Sequence, residues 1–348
     1  MYIDRDMDFY SLVKSLNEVC HSILSLSVCI LGTTNESQSF LQCYSSHDSL
    51  ATGLVLCGVL IAYSFIWSII GQNCSKVDQI WSIAPVLYCW HFYAHSILSN
   101  QLSHSRLLLL CLLVTIWGAR LTFNFWRKGG YGTFFVHEED YRWPILRAKM
   151  HPIVFQLFNL TFIATYQNLL LFWIAAPAYV VSITSPDLGI YDLIVGVIFS
   201  LLLIMETIAD EQHWAFQSIK HSLTAAQRTA HPNEEFRQGF YQSGLFQYSR
   251  HPNYFAEQCM WVCIYLFSLS SAVYALPTST ASTATELMLP FMNWSGLGCL
   301  QLILLFQGSM AFGESITLSK YPDYAAYQRS TSQCFPMPAG RRNRAKAE

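Results

Sequence analysis

The stretch Gly244-Leu-Phe-Gln-Tyr-Ser-Arg-His-Pro-Asn-Tyr-Phe-Ala-Glu257 runs from polar residues straight into an apolar segment. Proline is favoured at the first position of a helix, where its missing N–H is no loss, so Pro252 predicts a helix start with His251 as the cap. From that start Arg250, Asn253, Tyr254, Glu257 and Trp261 fall on one face. Open N–H groups of a helix N-terminus beside an Arg suit a phosphate. Asn, Tyr and Glu one turn deeper suit hydroxyl or amide groups. The bland alternative is a helix cap whose Arg snorkels to water.

Two other segments repeat the pattern. Glu206, Asp210, His213 and Gln217 recur at helical spacing where an apolar run ends, and their carboxylates could accept hydrogen bonds from ribose hydroxyls, an amide or an amine. Asp210, Glu211 and His213 are otherwise solvated residues just past the helix. Trp117, Arg120, Asn124, Arg127 and Tyr131 follow the same spacing. Arg120 lies inside an apolar run and needs a partner, either Glu206, Glu257 or a phosphate directly. With Arg127 and Arg250 it offers three cations to a pyrophosphate bearing a third phosphate.

Asp78, Tyr131 and Tyr141 are candidates for a proton-donating or carbonyl-polarising group. Asp78 has a second reading, because Ser75-x-x-Asp78 has the spacing of a capping box. Tyr324 and Tyr327, after Pro322, could stack on a base or rest at a membrane interface. His91 and His95 lie four apart as metal ligands do, but one such pair is too few for a membrane di-iron centre, and no metal is expected. Eleven cysteines form no Cys-x-x-Cys pair. Neither a disulfide scaffold nor a zinc ribbon is expected.

The elements that must position these groups are membrane helices. Only 12% of the 348 residues are charged, against 53% hydrophobic, with a mean hydropathy of +0.29; a soluble domain carries about twice that charge. A net charge of −2 excludes a nucleic-acid binder that relies on a basic surface. Seven apolar stretches are long enough to span a bilayer: 50–71, 79–98, 106–126, 153–182, 187–208, 254–275 and 288–312. The fold expected is an all-α polytopic bundle of about seven helices. Residues 1–49 form an N-terminal lumenal or interfacial segment, 50–336 one transmembrane domain and 337–348 a basic tail. Within the first segment, 12–31 is broken by Lys14, Glu18 and His21 and suits an interfacial helix better than a span. The acid-bearing N-terminus lacks the pattern of a signal or transit peptide.

Lys and Arg are distributed 16 to 3 between the two sets of connecting segments, with Arg120 inside a span. That bias predicts a cytosolic C-terminus and a lumenal N-terminus, which puts the sequon Asn35-Glu36-Ser37 where glycosylation is possible.

Taken in series, several motifs resemble the steroid 5α-reductase superfamily, most closely its broadly distributed branch of small integral membrane reductase-like proteins. They are Val77-Asp-Gln-Ile-Trp81, Trp117-Gly-Ala-Arg-Leu121 with Asn124, Glu139-Asp-Tyr-Arg-Trp143, Glu206 through Gln212, Gly244 through Glu257, and Lys320-Tyr-Pro-Asp-Tyr324 with Tyr327 and Pro336. Ala256 stands where that family usually has Gly, and Gln242-Ser243 where the steroid reductases have Arg-Gly. The resemblance implies NADPH as cofactor, contacts to it at Asp210, Asn253, Tyr254, Glu257, Tyr324 and more loosely Glu206, and a substrate that enters from the lipid.

The expected function is NADPH-dependent reduction of a carbon–carbon double bond in a sterol, polyprenol or unsaturated lipid, in the endoplasmic reticulum. Isoprenylcysteine carboxyl methyltransferases carry a similar Arg-His-Pro-x-Tyr turn and bind S-adenosylmethionine there, which supplies a rival reading. A non-catalytic scaffold or lipid-binding protein is the third.

Overall fold

The computed structural model describes residues 19–26, 29, 40–99, 105–132, 139–184, 188–274 and 293–338. All regular structure among these residues is helical. The protein is a polytopic helical membrane protein, with five helices long and apolar enough to cross a bilayer: α2 (Ser49–Ile70), α5 (Ser105–Arg127), the continuous segment Pro152–Thr184, α9 (Ile190–Ser222) and α13 (Gly296–Lys320).

Helices also stand at the other two predicted spans. The stretch 79–98 is broken into α3 (Lys76–Ile80) and α4 (Ala84–Leu98). At 15 residues α4 is about 22 Å long, short of the roughly 30 Å hydrocarbon layer. α12 (Pro252–Tyr274) begins at the expected proline. The segment Pro152–Thr184 joins α7 (Pro152–Phe158), a π-helical stretch (Asn159–Tyr166) and α8 (Gln167–Thr184), with Pro177 inside the last. Of the stretch 12–31, residues 19–26 are helical and Cys29 is described, while the remainder lies outside the described residues, as do Asn35 and the basic tail from 339 onward.

α9 corrects one expectation. It continues through 33 residues to Ser222, so Asp210, Glu211 and His213 lie within the helix and not past its end, with Glu211 exposed on it. Ile190, Ile194, Val197, Leu201, Ile204 and Ile208 are exposed along it. That spacing draws one apolar stripe, the face a membrane helix turns to lipid.

The chain divides into two compact units. The first takes in Met1–Asp192 and Phe267–Gly298. In it α1 (Phe40–Ser46), α2, α4, α5 and α8 pack together. Close approach of α5 to the turn before α4 requires Gly118, where an added Cβ would lie 2.6 Å from the Ser82 carbonyl oxygen. One end of this unit is held by a buried charge network. Arg106 Nη2 donates to Asp192 Oδ2 at 2.8 Å, and Gly189 N donates to the same oxygen at 2.8 Å. Ser270 Oγ donates to Asp192 Oδ1 at 2.9 Å. The Arg106 and Asp192 side chains are 2% and 0% exposed, so the starts of α5 and α9 and the end of α12 are tied around one shielded ion pair.

The second unit takes in Leu193–Leu266 and Cys299–Glu348. It contains most of α9, α12 and α13, the short helices α10 (Ala225–Thr229) and α11 (Glu234–Gln238), and α14 (Tyr324–Ser330). Phe240, Tyr324 and Tyr327 form a small buried cluster beneath Tyr321.

Candidate functional site

The second unit brings two predicted faces together. Asn253, one residue into α12, donates from Nδ2 to Asp210 Oδ1 of α9 at 3.4 Å. Glu206, one turn before Asp210, is 4% exposed, and Glu257, one turn after Asn253, is also 4% exposed. Glu257 accepts from Trp261 Nε1 at 2.9 Å, a partner one turn further along α12. The spacing read from the sequence therefore yields one polar face with three carboxylates and an amide. Beside it, the Tyr254 ring lies 5.4 Å from the His251 ring, at 29° to it, and 4.8 Å from Phe306.

Arg250 is placed differently from the expectation. Its Nε and Nη2 donate to Glu314 Oε1 and Oε2 at 2.7 and 2.9 Å, a bidentate pair, and its Nη1 donates to the carbonyls of Gln328 and Thr331. Four of the five guanidinium N–H groups are thus spent inside the fold. The assignment of Arg250 to a phosphate gives way to a structural one, because its charge is already neutralised by a carboxylate 6% exposed. His251 shares the same anchor, its Nε2 lying 2.9 Å from Glu314 Oε1. Gln328 Nε2 donates to Glu314 Oε2 at 2.9 Å and the Tyr324 hydroxyl to Oε1 at 3.4 Å. Tyr324 is buried at 6%, edge-on to Phe240, rather than open at a mouth for stacking on a base. Burial pushes the phenols of Tyr324 and Tyr327 up, so both stay protonated as donors.

The backbone before α12 is fastened by the chain's last described segment. Arg250 N donates to Ser332 O at 2.8 Å, His251 N to Gln333 O at 3.1 Å and Met337 N to Tyr248 O at 2.9 Å. Ser249 Oγ donates to Cys334 O at 2.7 Å, and the Tyr327 hydroxyl donates to Phe246 O. The turn entering this segment needs glycine. Gly244 has φ +60°, and a Cβ there would meet Gln212 Oε1 at 2.5 Å, the oxygen that accepts from Leu245 N.

The remaining candidates belong to the first unit. Asp78, on α3, accepts from Nε1 of Trp143, on α6 (Arg142–Lys149), at 3.3 Å. Burial pushes its carboxyl above the usual carboxylate range, against the opposing pull of Arg142. The capping box is not the structure at Ser75, which makes no side-chain cap bond to α3 and instead accepts from Asp140 N at 2.9 Å. Glu139 accepts from Cys74 N and Arg147, while Arg142 grips Asp140 through Nε and Nη2. The Glu139–Trp143 block and the Cys74–Asp78 block therefore interlock. Tyr131 spends its proton on Gln79 O at 2.7 Å, and Tyr141 is 56% exposed. Arg120 and Arg127 lie on the last two turns of α5, with Arg127 5.5 Å over the Phe123 ring.

Sequence reasoning missed Glu314, the centre of the Arg250 cluster. It stands two residues past the expected end of the last apolar stretch, where α13 continues to Lys320, and 64 residues separate it from its partner. Arg106 and Asp192 were missed because each stands near the end of an apolar stretch, where a charge is ordinary until the fold joins the two.

Among known proteins, residues 64–331 match the family described as "Protein of unknown function (DUF1295)". An uncharacterized protein of Schizosaccharomyces pombe is 31% identical over 323 residues, covering 91% of this chain and 87% of the relative. No solved structure matches. With most of its length matched, the chain belongs to the DUF1295 family.

Proposed function

We propose that the protein is a membrane-embedded, NADPH-dependent reductase of a carbon–carbon double bond in a lipid-soluble substrate, as its resemblance to the steroid 5α-reductase superfamily implies. The observation that supports this most is the face made by Glu206, Asp210, Asn253 and Glu257 beside Tyr254. Its acceptors and its amide suit the hydroxyl and carboxamide groups of a nicotinamide nucleotide, and a flat ring stacked on an aromatic is a surface for a planar heterocycle. Bound there, the cofactor would supply a hydride. The orientation that goes with this reading places the C-terminus in the cytosol and the protein in the endoplasmic reticulum.

The chain's own residues have separate tasks. Asp210 holds Asn253 in place, leaving the Asn carbonyl oxygen to accept. Trp261 orients Glu257, and Glu314 fixes Arg250 and His251 so that α12 starts at a defined point. Of the acids in the first unit, Asp78 is the one best suited to carry a proton, because its carboxyl keeps a proton more readily than an exposed acid while Tyr131 has committed its own. NADPH is expected to bind more tightly than NADH. Arg120→Gln and Arg127→Gln, measured one at a time, identify the cation responsible: losing it weakens NADPH about 10- to 150-fold and leaves NADH nearly unchanged.

One observation favours a second reading. With Arg250 neutralised by Glu314, the face is richer in carboxylates than in cations, which also suits the ammonium and sulfonium of S-adenosylmethionine. Thermal unfolding of the purified protein with NADPH, S-adenosylmethionine or neither separates the classes. The reductase reading expects a rise in melting temperature with NADPH alone. A rise with S-adenosylmethionine alone would establish the methyltransferase reading, and no rise with either would favour a scaffold.

A further inference from the structure

Cys29 and Cys43 are joined by a disulfide, the one covalent cross-link among the described residues and a feature the apolar setting of the cysteines gave no reason to expect. Their Cα atoms are 6.1 Å apart, within the range such a bond spans without moving backbone. Cys43 sits on α1, and α1 is docked by side chains onto the adjoining ends of α2 and α4. The Tyr44 hydroxyl donates to His91 Nδ1 at 2.8 Å, which leaves His91 Nε2–H to donate to Ser49 O at 2.9 Å. Burial pushes the Tyr44 phenol up to about 12, so it remains a donor. His95 Nε2 donates to His47 O at 2.8 Å, His47 Nδ1 to Cys43 O at 2.6 Å and Ser99 Oγ to Ser45 O at 3.3 Å. The histidines first weighed as metal ligands are thus the seat of α1, and Asp48 caps α2 directly after it through the N–H groups of Leu50 and Ala51.

We propose that Cys29 and α1 lie on the oxidising, non-cytosolic side of the membrane and that the Cys29–Cys43 bond latches α1 over the joined ends of α2 and α4. This inference does not rest on the reductase reading. Disulfides persist in oxidising compartments and are rare in the cytosol. Two independent sequence features call for the same side: the low Lys/Arg content of residues 1–49 and the sequon Asn35-Glu36-Ser37 between the two cysteines. The reaction is thiol–disulfide exchange with a disulfide-bearing oxidant, either oxidised glutathione or a thiol oxidase. The two cysteine thiols give up two electrons and two protons and form one S–S bond, and the oxidant's disulfide is reduced to two thiols.

The test uses the full chain in sealed microsomes. Free thiols are blocked in denaturant with N-ethylmaleimide, the disulfide is reduced, and the released thiols are labelled with a maleimide–polyethylene glycol tag. The proposal expects a shift of two tags that is lost in Cys29→Ser and in Cys43→Ser. Exposed Cys20 is the competing partner. Absence of the shift, or a shift lost in Cys20→Ser, would overturn the pairing. A membrane-impermeant phosphine applied first should leave the bond intact until detergent opens the vesicles; reduction in sealed vesicles would overturn the sidedness. Hydrogen exchange of the wild-type chain, which avoids any folding defect of the variants, reads the latch itself. On reduction the amides of α1 should exchange faster by up to about 100-fold, the order expected for opening a loop of this length, and an unchanged rate would show that the bond fastens nothing.

Discussion

Two arginine–carboxylate pairs are both shielded from solvent and differ in what surrounds them. Arg106 and Asp192 are almost wholly shielded, and both Asp192 oxygens accept further hydrogen bonds from Gly189 and Ser270. Arg250 and Glu314 are slightly more open, at 9% and 6%, and Glu314 also anchors His251, whose side chain is 22% exposed, as well as Gln328 and Tyr324. The first is a clamp: it joins three helix ends and offers nothing to a ligand. The second is a frame, sharing its carboxylate among groups that set the start of α12, beside which the polar face of Asn253 and Glu257 lies. Charge in a membrane helix is thus structural or functional according to what remains open around it, not according to its cost.

Breaking the clamp should have the largest effect. Asp192→Ala leaves Arg106 buried without its counter-charge, a loss of about 3–5 kcal/mol, measured as ligand-free melting in detergent. Adding Arg106→Met in the same chain should restore much of it. If the double variant is no more stable than the single one, the pair is not the clamp described.

Glu314→Gln should cost less, about 1.5–3 kcal/mol, because Arg250 keeps the carbonyls of Gln328 and Thr331 and the amide can still serve His251 or Tyr324. Cofactor affinity should fall along with melting temperature, since the frame around α12 loosens. A loss of stability with affinity intact would separate the frame from the neighbouring face.

Asp78→Asn should have the smallest effect on stability and the opposite sign. A carboxyl held above its usual range binds its proton more tightly in the folded chain. The contribution is therefore full at acid pH and is lost as pH rises through the folded-state value. The amide cannot ionise and can still accept from Trp143, so the variant should melt slightly higher than wild type at neutral pH, with a flatter decline from acid to neutral. Turnover should fall if Asp78 is the donor. A variant that melts lower at neutral pH would show that the ionised carboxylate is what the site holds.

Most of the helix boundaries were legible because bilayer thickness, proline and spacing act locally. Pro252 opens α12 as its position dictates, and α5 ends at Arg127 where the apolar run ends. The polar faces carrying Asp210 and Asn253 were each legible for the same reason, but not that the two residues meet. What could not be read were partners distant along the chain. Arg250 was assigned to a phosphate because nothing local reveals Glu314 or the carbonyls of Gln328 and Thr331. Asp78 read equally well as a cap, because its partner Trp143 belongs to a separate helix. The Cys29–Cys43 bond was hidden by the rule that cysteines in apolar runs behave as small hydrophobes, which holds for Cys57, Cys89 and Cys111, all buried and free.

The central claim is that the polar face of α9 and α12 holds the cofactor, and Glu257 tests it most directly. Glu257→Gln keeps the shape and an acceptor for Trp261 while removing the charge. Ligand-free melting temperature and NADPH affinity should be measured on the same preparation. The account predicts an unchanged melting temperature with NADPH binding weakened about 10- to 150-fold. A large loss of melting temperature, or NADPH affinity equal to that of the unmutated protein, would contradict it.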